Sequence, residues 1–105
     1  MSSKGIRGSS DRSILVLTSL AAGPKHGYAL IADIAEFSGV RLGAGSLYGC
    51  LAQLESDGLV EALPPDDRRR PYQITRSGLN ELRARLTQSA RIAEIGLGRA
   101  RTART

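Results

Sequence analysis

Residues 43–78, GAGSLYGCLAQLESDGLVEALPPDDRRRPYQITRSG, decide the fold of this chain. They predict, in order, a helix, a turn closed by glycine, a strand, a loop rich in Pro, Asp and Arg, a second strand and the start of another helix. This order is that of a winged helix-turn-helix, in which one helix suits a DNA groove and a basic loop lies beside it. The stretch therefore predicts a binding protein.

Two helices are predicted ahead of this stretch. Asp11 can cap the first, which is short and very apolar and is ended by Gly23 and Pro24. The second covers residues 27–38, with an inward face made of Tyr28, Ile31, Ile34 and Ala35. Both helices are expected to pack in the core. Residues 40–42 can form at most a one-bond strand.

Within the stretch, Leu47, Leu51 and Leu54 repeat at helical spacing and predict a third helix over residues 44–57. Residues 59–63 and 72–75 predict two strands around the loop at 64–71, whose prolines and aspartates favour a turn. The predicted fold class is mainly α with a small β-hairpin, a winged helix-turn-helix domain followed by a C-terminal dimerisation helix.

The fourth helix carries a narrow apolar stripe about 27 Å long at 1.5 Å per residue. Its members are Leu79, Leu82, Leu86, Ala90, Ala93 and Leu97. Three short helices cannot cover a stripe of this length, which predicts that the same helix of a second copy covers it. The alternative is that only the first two turns pack, on their own domain, while Gly96 and Gly98 let the far end fray.

The predicted organisation has four parts. Residues 1–10 form a flexible basic arm, residues 11–76 the winged helix-turn-helix DNA-binding domain, residues 77–98 the dimerisation helix, and residues 99–105 a disordered basic tail. The boundaries follow the apolar pattern, which begins after the Ser- and Gly-rich start and ends before the arginines of the last residues.

Charge is distributed unevenly along the chain. Fifteen basic residues against ten acidic ones give a net charge of +5. Residues 64–105 contain ten arginines and four acidic residues, whereas acidic residues outnumber basic ones in residues 16–63. The positive charge therefore lies at the chain ends and in the predicted wing, a distribution that favours a polyanionic partner.

Several function classes are disfavoured by composition. The single cysteine, Cys50, and the single histidine, His26, cannot form a disulfide framework or a structural zinc site within one chain. No paired carboxylates lie in a pocket-forming context, so neither catalysis nor a cofactor is expected. No apolar run suits a membrane span, and the N-terminus lacks the apolar segment of a signal peptide, so a cytoplasmic protein is expected.

Two residues have alternative interpretations. Cys50 lies near the leucines of the third helix and is expected to be a small buried hydrophobe, with a redox sensor as the alternative. His26 is expected to start the second helix, with a proton switch as the alternative.

The chain resembles the PadR family of bacterial transcriptional regulators. Residues 14–34, ILVLTSLAAGPKHGYALIADI, are similar to the first two helices of the family, including its Gly-Pro-x-His-Gly-Tyr signature at residues 23–28. Residues 43–61 resemble its recognition helix, and residues 68–78 its wing and the start of its C-terminal helix. The resemblance implies a dimeric winged-helix repressor with a single C-terminal helix, often released from DNA by a small effector.

Two groups of residues are predicted to contact double-stranded DNA, including the chain's own promoter region. The helix at 44–57 enters the major groove, with Ser46 and Tyr48 reaching phosphates, Gln53 a base edge and Gly49 allowing close approach. The wing and a preceding loop contribute basic residues that contact the backbone: Arg41, Arg68, Arg69 and Arg70. Lys4 and Arg7 of the arm could reach a minor groove, or stay idle.

One departure from the family pattern supports a different function. Residues 44–57 contain no Lys or Arg, although family members often carry basic residues there, and Asp66 and Asp67 partly neutralise the wing. The alternative is a winged-helix protein-interaction module without strong DNA binding.

An effector is left open by the sequence. Some relatives stack flat aromatic molecules on a tryptophan between subunits, and this chain has no tryptophan. A pocket of that kind is not expected, while a different small-molecule effector stays possible.

Overall fold

The computed structural model describes the backbone of residues 3–103 and the side chains of residues 12–103. Four helices and a two-stranded antiparallel sheet occupy the described residues, and they confirm the predicted fold class. In chain order the elements are α1 (Ser3–Ala21), α2 (Gly27–Ser38), α3 (Ala44–Ser56), β1 (Val60–Ala62), β2 (Tyr72–Ile74) and α4 (Arg76–Thr102). The hairpin register pairs Val60 with Ile74 and Ala62 with Tyr72.

The core is formed where α1, α2 and α3 meet, with the hairpin and the first turns of α4 closing one side. Its fully buried side chains are aliphatic, and each contributes about 2 kcal/mol through removal from water. The predicted stripe of α3 is confirmed, since all three of its leucines are buried. The core consists of Val16, Leu17, Leu20, Leu30, Ile34, Leu47, Leu51, Leu54, Val60 and Leu82.

The loop between α1 and α2 is joined to the base of the wing. The Lys25 amide donates to the Tyr72 carbonyl oxygen at 3.1 Å, and the Tyr72 amide donates back at 2.9 Å. The Lys25 ammonium donates to the Ser19 carbonyl oxygen at 2.5 Å and lies 4.0 Å from the Asp33 carboxylate. Residues 40–42 form no strand, and the isolated pairing beside β2 is made by Lys25.

Left-handed glycines and a threonine cap define the ends of the helices. Gly39 and Gly58 have φ of 77° and 78° and follow α2 and α3, conformations that glycine adopts without strain. Thr75 caps α4 as predicted: its side chain accepts from the Gly78 amide at 3.0 Å. A Cβ on Gly78 would overlap the Leu59 carbonyl oxygen, so glycine lets α4 approach β1 closely.

Both end helices are longer than the sequence suggested. α1 begins at Ser3, where a flexible arm and a cap at Asp11 were predicted. α4 continues to Thr102, where a disordered tail was predicted from residue 99. Arg99 and Arg101 lie in its last turn, where their positive charges interact favourably with the negative end of the helix dipole. This interaction offsets the weak helix propensity of Gly96 and Gly98. The side chains of Lys4 and Arg7 lie outside the described part of the chain.

No helix in residues 3–103 combines the length and apolar character needed to cross a membrane.

Candidate nucleic-acid interface

The outward face of α3 is uncharged and made of small residues. Gly45, Ser46, Gly49 and Gln53 are all exposed along it. A Cβ on Gly45 or Gly49 would meet no atom within 4 Å, so no packing inside the protein requires glycine there. Each glycine disfavours the helix by about 0.5–1 kcal/mol relative to alanine. A face that keeps two such residues is suited to close approach by a partner.

Tyr48 lies on the edge of α3 that faces the start of α2. Its ring crosses Gly27, where a Cβ would overlap the tyrosine hydroxyl. Gly27 is buried, and Tyr48 keeps 49% of its surface exposed. The glycine of the His-Gly-Tyr segment therefore has a structural role: it leaves room for the Tyr48 ring and hydroxyl to lie against the start of α2.

Tyr28 corrects a sequence prediction. It was expected to pack inward, but it is 80% exposed, because Leu30 and Ile34 fill the inward side of α2. Tyr28 and Tyr48 instead flank a shallow, mostly apolar pocket of about 170 Å³. Sequence reasoning missed the exposure of Tyr28 beside Tyr48, because that exposure depends on contacts between helices that periodicity does not show.

The tip of the wing has an uncommon backbone conformation. Asp67 and Arg68 have φ of 55° and 69°, and the flanking Asp66 and Arg69 close the turn through two backbone hydrogen bonds of 2.6 and 3.0 Å. Two left-handed residues at the centre of a hairpin turn usually include glycine or asparagine. Arginine in this region is strained by about 1 kcal/mol. The turn presents Arg68 at the tip despite that strain.

The wing reaches back to the start of α2. The Arg69 guanidinium lies within hydrogen-bond distance of His26, with 3.2 Å between the guanidinium nitrogen and Nε2, and arginine can act only as the donor. This contact places the arginines beside the two tyrosines. Together they line an open cleft of about 330 Å³, formed by His26, Gly27, Tyr28, Tyr48, Arg68, Arg69 and Arg70.

The other predicted contact residues lie apart from this cleft. Ser46, Gly49 and Gln53 are on the side of α3 that faces α1, and the Gln53 amide donates to Asp57 at 3.2 Å. Arg41 is exposed in the loop before α3. The structure thus brings Tyr48 together with the three wing arginines and separates them from the remaining four residues.

Cys50 has the surroundings of a structural residue. It is half-buried between α3 and α1, and burial raises the pKa of its thiol, an effect that Ser13 and Arg12 oppose. A thiol with a raised pKa is protonated at neutral pH and is a weak nucleophile. The cysteine therefore fits the small hydrophobe expected from the sequence. Within the described residues, no group of three metal-binding side chains is assembled.

The apolar stripe of α4 is divided between two environments. Leu82 is buried in the core of its own protomer and is not available to a second copy, and Leu79 is half-buried. Farther along, Leu86 and Leu97 are 41% and 64% exposed, and Ala90 and Ala93 are exposed between them. Ile92 and Ile95, on another side of the helix, are also exposed and were not part of the predicted stripe.

Comparison with known proteins gives a family match over most of the domain. The model of the transcriptional regulator PadR-like family matches residues 16–84. A curated relative, an uncharacterised 37.1 kDa protein in transposon TN4556 of Streptomyces fradiae, is 47% identical over 83 residues. The match covers 79% of this chain and 24% of that protein, so the chain spans about a quarter of its relative's length.

Solved structures show the same fold. A PadR family transcriptional regulator from Eggerthella lenta DSM 2243 superposes with a TM-score of 0.76 at 29% identity, over 98% of this chain and 93% of that one. A PadR family regulator from Clostridium difficile R20291 gives a TM-score of 0.74 at 22% identity, over 80% and 92% of the two chains. The second likeness concerns the fold alone.

Proposed function

Since the chain belongs to the PadR-like family of transcriptional regulators, we propose that it is a cytoplasmic repressor that binds double-stranded DNA as a homodimer. The observation that carries this proposal is the cleft where Arg68, Arg69 and Arg70 meet Tyr28 and Tyr48 at the edge of α3. Guanidinium groups and tyrosine hydroxyls are common partners of backbone phosphates.

In this proposal, α3 and the wing have separate roles. The outward face of α3 enters the major groove, where Gly49 permits close approach and Ser46 donates to a phosphate. Gln53 reaches a base edge after leaving its contact with Asp57. The wing arginines and Tyr48 hold the backbone beside the groove, and Arg41 adds a charge at the start of α3.

The second half of α4 supports the homodimer. Leu86, Ala90, Ala93 and Leu97 form an exposed apolar surface that continues the buried first turns of the same helix. Apolar surface of this kind is stabilised when a partner removes it from water, at about 25 cal/mol per Å². The same surface of a second copy is the occupant that we propose, and two copies would read two half-sites.

Binding to the DNA upstream of the chain's own gene tests the proposal. We expect affinity that falls steeply with salt, because phosphate contacts release counterions. Footprinting should give two symmetric protections about 10 base pairs apart, or a multiple of that spacing. Absence of binding at low salt would overturn the proposed function.

The dimer is tested by Leu97→Glu, with Thr87→Glu as the matched control on a different side of α4. Sedimentation should show a monomer for the first variant and a dimer for the second, because only the first places a charge in the apolar surface. A dimeric Leu97→Glu protein would contradict the proposed interface.

A second candidate is a protein-interaction module. The observation in its favour is the lack of any Lys or Arg on α3, which removes the usual positive charge from a recognition helix. A dimeric wild-type protein that showed no preference among DNA sequences, and no loss of binding on wing substitution, would favour this candidate.

A further inference from the structure

A second groove borders α3 on the side away from the wing. It lies between α1 and α3, has a volume of about 280 Å³ and is open to solvent. Its lining consists mainly of Arg12 and Ser13 from α1, and Gly45, Ser46, Gly49 and Gln53 from α3. None of the DNA contacts predicted from the sequence includes Arg12 or Ser13.

The chemistry of this groove suits a phosphodiester. Arg12 supplies an exposed guanidinium, and Ser13 and Ser46 supply hydroxyls. The described residues that line the groove include no carboxylate. Arginine presents several donors in a planar fork and is favoured for binding phosphate oxygens.

The two grooves lie on opposite sides of α3. Tyr48 and the wing arginines are on one side, and Arg12 is on the other. A helix about 10–12 Å across fills a B-DNA major groove, which is about 12 Å wide, so one DNA strand runs along each side of it. A phosphate contact is therefore available to each flank of α3, from a different strand.

We propose that Arg12 and the groove beside it bind a backbone phosphate of the DNA strand opposite the one held by the wing. This inference rests on the proposed function, because it needs α3 in the major groove. It explains how a helix without Lys or Arg is held in the groove: the positive groups lie on neighbouring elements, one on each side.

The glycines give this groove its depth. Gly45 and Gly49 line it, and a Cβ on either would project into open space. Because glycine has no side chain, both positions leave room for the sugar–phosphate chain to reach Arg12. A larger side chain at either position would raise the groove floor and keep the strand away from the guanidinium.

Methylphosphonate scanning of the bound DNA tests the proposal, since each substitution removes the charge of one phosphate. With the wild-type protein, we expect substitutions on both strands to weaken binding. Within each half-site, Arg12→Gln should abolish the loss of affinity at one phosphate of one strand, and Arg69→Gln should reduce it at a phosphate of the other strand. The two strands exchange roles between the half-sites, because the dimer is two-fold symmetric. The salt slope, which is the steepness of the fall in log affinity with log salt concentration, should decrease by about 1 for each variant in each half-site. Arg12→Lys should restore the slope, because it keeps the charge.

Arg83→Gln, on the exposed surface of α4, is the matched control for loss of one charge. Thermal melting should be the same for all of these variants, because Arg12 and Arg83 are exposed. The inference is overturned if Arg69→Gln weakens binding while Arg12→Gln behaves like Arg83→Gln, or if, within one half-site, both flanking variants affect phosphates of the same strand. Wild-type protein without DNA affinity would instead overturn the proposed function itself.

Discussion

The wing and the outward face of α3 are neighbours with opposite character. The wing presents five consecutive charged residues from Asp66 to Arg70 on a strained turn, whereas the face of α3 presents glycines, serine and glutamine. In the proposed complex, electrostatic attraction comes from the wing and close contact comes from the helix. In that proposal, the helix that enters the groove lacks positive charge because adjacent elements carry it, and substitutions on each element can test this division.

Removing two wing charges should have the largest effect. For Arg69→Ala combined with Arg70→Ala, we expect DNA affinity to fall about a hundredfold per half-site, taking about 1.4 kcal/mol, a factor of ten, for each charged hydrogen bond. The salt slope should fall by about 2 in each half-site. Fluorescence anisotropy over a range of salt concentrations measures both quantities.

Arg83→Ala combined with Arg91→Ala removes the same charge from exposed positions of α4 and serves as the control. If the control pair weakened binding as much as the wing pair, general charge rather than the wing would provide the attraction, and the comparison would fail.

At the tip of the wing, a substitution should increase the stability of the protein and weaken DNA binding, both by smaller amounts. Arg68→Gly should raise the free energy of unfolding by about 0.5–1 kcal/mol, since glycine relieves the left-handed strain. It should lower DNA affinity by about tenfold or less, with a salt slope reduced by about 1 per half-site. Chemical denaturation and anisotropy give the two values. Arg68→Asn is a control, because asparagine tolerates the conformation but also lacks the charge.

An Arg68→Gly protein that is more stable and binds DNA as well as the wild type would show that the tip residue does not contact DNA. The strain at Arg68 would then have no explanation in binding.

The smallest effect is expected on α3. Gly49→Ala should raise the free energy of unfolding by about 0.5–1 kcal/mol, because alanine favours the helix and its Cβ meets no atom. DNA affinity should fall several-fold at an unchanged salt slope, since contact is lost but no charge. Gly96→Ala, at an equally open position in α4, should give the same stabilisation without a change in affinity. Unchanged affinity for Gly49→Ala would mean that DNA does not approach this face closely.

Local sequence signals predicted the elements around α3 well. Leucine spacing and glycine stops gave α2 and α3 to within about one residue, and the Pro- and Asp-rich loop correctly separated two short strands. These features depend on neighbouring residues alone, through capping and periodicity.

Long-range contacts were not predictable in the same way. Helical periodicity placed Tyr28 on the inward face with Ile31 and Ile34, whereas in the structure Leu30 and Ile34 fill the inward side and Tyr28 is exposed. Nothing local indicated that Arg12 would stand beside the outward face of α3, since that placement depends on how α1 crosses α3. The length of α4 was underestimated because its apolar pattern ends before the arginines of the last residues, and this basic end was taken as a disordered tail.

The pairing of Lys25 with Tyr72 has a consequence for how the domain folds. It joins residues far apart in sequence, so forming it early would cost the entropy of closing a long loop. That cost is offset only after α2 and α3 have packed into the core. The base of the wing should then form late and open early, with the amides of Lys25 and Tyr72 exchanging their hydrogens together. Opening of that bridge, together with loss of the Arg69–His26 contact, would separate the wing from α2 while the helical core stays folded.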